Sequence, residues 1–448
     1  MIEIRSKERD AVIQSLRAGV VPRLGQHLIQ VGRVKEVEAL LKDIDRVIDG
    51  GSTIRFVIGE YGSGKTFFLN LIRAIALEKR LITVHADLSP DKRLQSTGGQ
   101  ARSLYAELMR NVSTRSKPDG GAIQNIVERF ITEAMRESQS SGIKVESIIL
   151  RRLEKIYEMV GGYDFAQVIS AYWKGHDTCN EQLKSDAIRW LRGEFSTKTE
   201  AKLALGVRTI IDDMSVYDHL KLMAIFVRLA GYNGLLICLD ELVNLYKLAN
   251  SQSRNANYEQ ILRIVNDSLQ GIAVGLGIIM GGTPEFLMDT RRGLYSYPAL
   301  QSRLAENTFA TGGRLDFTGP VLRLSSLSQE DFFVLITKIR HVYALGNPEV
   351  YLLPDEGLKA FMEYSFKKIG EIYFRTPRNT IKAFVNLLAV LEQNKDLKWQ
   401  EMLGNVEIDR ETNPDLEPLP VDVDTIQSST NNERQQQDGG NNLETFKL

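Results

Sequence analysis

The sequence predicts an α/β fold: a parallel sheet interrupted by a large helical insertion and followed by a C-terminal helical lid. Three stretches predict it. Gly59-Glu60-Tyr61-Gly62-Ser63-Gly64-Lys65-Thr66 fills every fixed position of the G-x-x-x-x-G-K-[ST] pattern. It stands between an apolar, β-forming run, Thr53 to Ile58, and a segment with Phe68, Leu71, Ile72, Ile75 and Ala76 at helical spacing. A second apolar run, Gly234 to Leu239, ends in Asp240-Glu241. Between the two, residues 90–230 read almost entirely as helix. Connections in an α/β unit are far shorter, so on the order of 100 residues are inserted.

Element by element, Glu8 to Arg17 predicts a short amphipathic helix that ends at Gly19, after which Val21-Pro22-Arg23 runs extended. Val31 to Glu38 opens a second helix with Val37, Leu40, Leu41, Ile44 and Val47 on one face, closed by Gly50-Gly51. The loop strand and helix follow, then a strand at Leu81 to Ala86 ended by Ser89-Pro90. Helices are predicted at 101–112, 122–137, 145–159, 165–172, 181–191 and 215–229. After the Asp-Glu strand come a helix, Tyr258 to Leu269, and a fourth strand, Ala273 to Met280, leading into Gly281-Gly282-Thr283-Pro284. Asp289 to Leu304 is dense in arginine and aromatic residues. A fifth strand, Val321 to Leu324, leads to lid helices at 328–342, 354–366 and 377–392. The domains are thus 1–52, a core of 53–90 with 231–325, the insertion 91–230, the lid 326–404 and a tail 405–448.

The loop is chemistry for a nucleotide. Its glycines let the backbone turn tightly and point N–H groups inward, where the following helix N-terminus adds partial positive charge. Lys65 then meets the β/γ-phosphates of ATP, and Thr66 offers a hydroxyl to Mg²⁺. Asp240, at a strand tip, suits the Mg²⁺ water shell, and Glu241 can orient and deprotonate an attacking water.

Composition sets the limits. With 448 residues, 43% hydrophobic and 25% charged, the chain has the make-up of a soluble globular protein of two or three domains. Cys179 and Cys238 are too few for a disulfide framework, and the five histidines lack metal-ligand spacing. The N-terminal thirty residues carry five basic side chains and no apolar core of a signal, and no run of about 18 apolar residues occurs, so a cytoplasmic protein without membrane spans is expected. The net charge of −1 is uneven: residues 405–448 carry ten acidic against three basic side chains, which leaves +6 on residues 1–404. That body suits a polyanion and equally an ordinary solvated surface. Residues 117–230 carry 16 acidic and 16 basic side chains, so the insertion has no basic footprint. The tail is Asn-, Gln-, Asp- and Pro-rich and is expected to be disordered, with Leu443 to Leu448 either a docking peptide or a frayed end.

The arrangement resembles the AAA+ ATPases, the additional-strand class of P-loop proteins. That resemblance implies further roles. A Val-Gly-Arg element upstream of the loop lies over adenine in AAA+ proteins, which makes Leu24 to Arg33, with Gly32 and Arg33, a candidate base pocket or simply a helix start. Thr283 takes the sensor position at the end of the strand beside the carboxylate strand, or caps the next helix. Arg303 is the candidate finger reaching a neighbouring subunit's site, with Arg291 and Arg292 as alternatives, or it is a surface residue paired to Glu306. Arg378, behind Thr376-Pro377, is the candidate lid sensor, with Arg375 its rival. A homo-oligomer is implied.

More narrowly, Ile13 to Pro22 with Val31-Gly32-Arg33, the Gly-Glu-Tyr-Gly-Ser-Gly-Lys-Thr loop, Leu239-Asp240-Glu241, Arg291-Arg292-Gly293 with Ser296-Tyr297 and Ala299-Leu300, and Thr376-Pro377-Arg378 resemble the BREX-type ATP-binding proteins of prokaryotic phage defence. These look like AAA+ ATPases of the origin-recognition type. The resemblance spans residues 12 to about 395 and implies DNA-linked defence, with DNA and other defence-operon proteins, a helicase among them, as partners. No winged-helix pattern follows residue 395, so the DNA-binding domain that origin-type relatives often append is not expected. Two functions stand open: a Mg-dependent ATPase that drives assembly on DNA or remodels a protein–DNA complex, and a nucleotide-gated scaffold that switches partners with little turnover.

Overall fold

The computed structural model describes residues 4–309, 316–394 and 396–403. The chain begins with α1 (Ser6–Arg17), α2 (Gln26–Ile29) and α3 (Val34–Ile48), then runs through β1 (Ser52–Ile58), α4 (Lys65–Glu78) and β2 (Ile82–Asp87). Seven helices follow before the next strand: α5 (Gln100–Arg110), α6 (Ile123–Ser141), α7 (Val145–Tyr157), α8 (Gly162–Asp177), α9 (Glu181–Leu191), α10 (Lys198–Leu205) and α11 (Val216–Leu229). Then come β3 (Leu235–Asp240), α12 (Val243–Tyr246), α13 (Ser251–Leu269), β4 (Leu276–Gly282), α14 (Pro284–Met288), α15 (Pro298–Leu304) and β5 (Val321–Arg323). The helices α16 (Gln329–Tyr343), α17 (Asp355–Ile369), α18 (Ile372–Arg375), α19 (Arg378–Gln393) and α20 (Trp399–Leu403) complete the described chain. The tail read as disordered lies outside the described residues.

All five strands are parallel, in the order β2-β3-β4-β1-β5, as in a P-loop nucleotide-binding fold. Alternating side chains divide each strand between two faces. Phe56, Ile58, Ile237, Leu239, Ile278 and Met280 face a cluster that continues without a break into the helices after β2, through Tyr105, Phe130, Phe165, Trp190 and Phe226. The insertion therefore shares the core of the sheet. On the other face Val57, Leu236, Cys238 and Ile279 pack against Leu40, Ile44 and Val47 of α3 and Phe68, Ile72 and Ala76 of α4. Each of the Val, Leu, Ile and Phe side chains contributes about 1.5–3 kcal/mol by leaving water. Cys238 is core, as its place in an apolar strand predicts, and burial pushes its thiol up to about 12.

A third cluster joins Val12 and Ile13 of α1 and Ile29 of α2 to Phe332, Ile336 and Ile339 of α16, Phe361 of α17 and Phe384 and Leu388 of α19. The first helix of the chain thus packs with the last ones. Among the described residues no helix is long and apolar enough to cross a membrane.

Some boundaries differ from the sequence expectation. α13 begins at Ser251 rather than Tyr258, because its first turns are polar and carry no apolar period; the Asn250 side chain accepts from Ser253 N at 2.7 Å and caps it. α10 is unanticipated because it is short, with Ala201 and Leu205 its buried residues. β4 runs on through Gly281 and Gly282, where a strand pattern has no side chains to show itself. Glycine is needed there: a Cβ at Gly281 would collide with Asp240 Oδ1.

Inside β1, Arg55 is buried and forms a two-point pair with buried Asp43 of α3, one arm at 3.0 Å, while Nη1 donates to the carbonyl of Gly319. Removing one partner strands a charge in the core. Asp43→Ala is expected to cost about 3–5 kcal/mol of stability in a denaturant titration; a loss below about 1 kcal/mol would show that α3 docks without the pair.

Candidate functional site

The phosphate loop, Asp240-Glu241 and Thr283 stand at the carboxyl ends of β1, β3 and β4, where open α/β sheets bind ligands. β1 delivers the loop 59–64. Gly62 and Gly64 hold φ of 75° and 84°, left-handed values open to glycine at little cost, and these turn the chain into α4. Lys65 Nζ donates to the carbonyls of Gly59 at 2.8 Å and Glu60 at 3.0 Å, which holds the ammonium against the loop. Ser63 is buried and its Oγ has no partner among the described residues. An orphan buried hydroxyl in such a loop remains able to donate to a ligand.

Thr66 Oγ1 donates to Asp240 Oδ2 at 2.7 Å, although 174 residues separate the two. A hydroxyl and a carboxylate in contact beside inward N–H groups form the donor set of a hard divalent cation next to phosphate, so the residues present fit Mg²⁺ with a nucleotide. Asp240 is buried, and its Oδ1 accepts the N–H of Glu241 at 2.9 Å. Glu241 is exposed and takes φ of 58°, a conformation that costs a non-glycine residue about 1–3 kcal/mol and recurs at functional sites.

One residue escaped the sequence reading. Asp87 ends β2 in register with Asp240, and its carboxyl titrates above the usual range because of desolvation and then the charges of Asp240 and Glu107, although part of the residue is open to water. The available signal was the one used for Asp240, an acid directly after an apolar strand.

Thr283 stands at the end of β4, the strand between those of the loop and of Asp240. Its Oγ1 accepts from Phe286 N at 3.4 Å, so it caps α14; an acceptor bond leaves the O–H able to donate elsewhere. Arg33 is the N-cap residue of α3 at φ 60° and lies against the loop. Its guanidinium donates to the carbonyls of Ser63, Gly64 (3.5 Å) and Ser325 (3.4 Å), and burial lowers its pKa to about 10. Gly32 packs on Asp331 of α16. The segment therefore starts a helix, and its Arg33 touches the loop.

Arg378 opens α19 behind Pro377 and reaches the loop. Its Nη1 donates to Tyr61 Oη at 3.1 Å, and the guanidinium lies 5.3 Å from the centre of that ring. Its rival Arg375 is turned away, in an exposed pair with Glu371 at 2.7 Å. Arg303 is exposed at the end of α15, donating to Asn266 Oδ1 at 2.6 Å and to the carbonyl of Ala299 at 2.9 Å. The expected alternative pairing with Glu306 is corrected: Glu306 pairs with Arg323, whose side chain rises from β5 beside it. Arg292 donates to the carbonyl of Leu248 at 3.0 Å and lies over Tyr246, whereas Arg291 points into solvent beside Asp289.

A search of curated proteins gives no match. A family model described as BREX system ATP-binding protein BrxC/D matches residues 4–407, nearly all of the folded body built around this loop, and the chain belongs to that family of phage-defence ATP-binding proteins.

Proposed function

We propose that the protein is a Mg-dependent ATPase of the AAA+ type that couples ATP binding and hydrolysis to assembly on DNA or remodelling of a protein–DNA complex in phage defence. The observation that carries the reading is the contact between Thr66 and Asp240 beside Glu241, with Thr283 on the strand between them. The position of β4, inserted between the loop strand and the Asp-Glu strand, supports the additional-strand class. Thr66 and Asp240 would hold Mg²⁺, which would supply positive charge against the phosphates. The loop N–H groups and Lys65 would bind the phosphates, the buried Asp240 carboxylate would help hold the metal, and Glu241 would take a proton from the attacking water. Asp87 adds a second negative charge beside Asp240.

The test is the steady-state rate of phosphate release from ATP with Mg²⁺ or with a chelator, in the presence and absence of duplex DNA. Mg-dependent turnover that DNA alters supports the reading. Tight ATP binding without turnover would instead assign a nucleotide-gated scaffold that switches partners.

The lid is proposed to report the nucleotide through Arg378, since its contact to Tyr61 joins α19 to the loop. In limited proteolysis, ATP should change the cleavage pattern of the wild-type protein, and Arg378→Ala should remove that change while ATP still binds. Identical patterns for the wild type with and without ATP would leave the lid with no such role.

A further inference from the structure

A cavity of about 440 Å³ lies away from the phosphate loop, lined chiefly by Arg80, Thr114, Arg115, Ser116, Arg129 and Tyr232. Its walls come from the amino ends of the strands. Arg80 stands between α4 and β2, Tyr232 between α11 and β3, and Ser113, just before the turn of Thr114 to Lys117, bridges to Thr83 on the outer edge of β2. The six residues of β2 put roughly 20 Å between this pole and the ends that carry Asp87 and Asp240.

Three guanidinium groups converge on a lining without a carboxylate. Arg129 donates Nε to the carbonyl of Ala230 at 2.9 Å and lies over the Tyr232 ring at 4.9 Å; Arg80 Nη2 donates to the carbonyl of Gly231 at 3.4 Å. Neither makes an ion pair among the described residues. These bonds fix the side chains and leave donors over. Arg115 pairs with Glu78 at 2.9 Å, but both side chains are about two-thirds exposed, and such a pair holds weakly. Thr114 Oγ1 and Ser116 Oγ, 3.2 Å apart, add hydroxyls to the same wall. Planar forks with free N–H groups match phosphate oxygens, and like charges held this close are relieved by an anion. Lys117 closes the turn that carries Thr114 to Ser116, and its Nζ donates to the carbonyl of Gly121 at 2.9 Å. Arg80, Arg115 and Arg129 come from three separate segments, and a backbone with repeated phosphates can engage all three, where a single phosphate carries too little charge.

We propose that this pole binds the phosphodiester backbone of duplex DNA, with Arg80, Arg115 and Arg129 as its phosphate contacts. The proposal rests on the DNA-linked half of the function above and names the surface that would serve it.

The experiment is fluorescence anisotropy of a short labelled duplex with the full chain over a salt series, for wild type and for Arg80→Glu with Arg115→Glu, using ATP binding and thermal melting as controls. The double variant should bind duplex at least about tenfold more weakly and lose about two from the slope of log affinity against log salt, with ATP binding unchanged. If it melts early, Arg115→Glu alone, on an exposed side chain, should still lower affinity and slope. Equal affinity and slope in wild type and variants would overturn the proposal while leaving DNA binding to another surface. No duplex binding by the wild type at low salt would overturn it together with the DNA-linked half, and ATP binding would stand. Inorganic phosphate binding that depends on these arginines, without duplex binding, would replace it with a small-anion site.

Discussion

Glu241→Gln is expected to retain ATP binding while slowing hydrolysis at least about 10²-fold, the range lost when a general base is removed. The substitution keeps the shape of the side chain and the backbone contact from residue 241 N to Asp240 Oδ1 at 2.9 Å, so the carboxylate beside Thr66 should stay in place. Only the proton acceptor is gone. The left-handed backbone at this position turns the chain out of the line of β3, and Glu241 is exposed there. Single-turnover phosphate release with saturating ATP isolates the chemical step. Near-normal turnover would take Glu241 out of the role and turn attention to Asp87, the other carboxylate beside Asp240.

Arg303→Ala is expected to lower turnover by about 10³-fold, as loss of a charge placed on a transferring phosphoryl group does in related sites. Within the subunit Arg303 bonds to Asn266 and to the carbonyl of Ala299, makes no ion pair among the described residues, and stays exposed at the end of a short helix. A cation so placed can reach a second copy of the chain. Mixing supplies the test: Arg303→Ala and Lys65→Ala subunits, each inactive alone, should regain part of the activity together, because a hybrid interface pairs an intact loop with an intact arginine. A per-subunit rate that does not change down to concentrations where the protein is monomeric would rule out action between subunits.

What the sequence by itself determined is what local chemistry encodes. The Gly59 to Thr66 loop is legible because its glycines, lysine and hydroxyl are consecutive and flanked by a β pattern and a helical one. Asp240-Glu241 is legible because an apolar run ends there, and the length of the insertion because helical spacing persists from α5 to α11. Elements whose own residues carry little apolar signal were mistaken or missed, as in the first turns of α13 and at the glycines that end β4.

Contacts between distant segments were decided only by the tertiary structure. Strand order follows from which faces can be buried together, and it alone sets β4 between β1 and β3 and brings Asp87 beside Asp240. The bond from Thr66 to Asp240 spans 174 residues and that from Arg378 to Tyr61 spans 317. The packing of α1 with α16 and α19, the seating of Arg33 on the loop and the pairing of Glu306 with Arg323 rather than Arg303 likewise depend on what arrives from elsewhere in the chain. Periodicity says which face of an element is buried, and it carries no information about the partner that buries it. That choice is made by packing and by the pairing of buried charge.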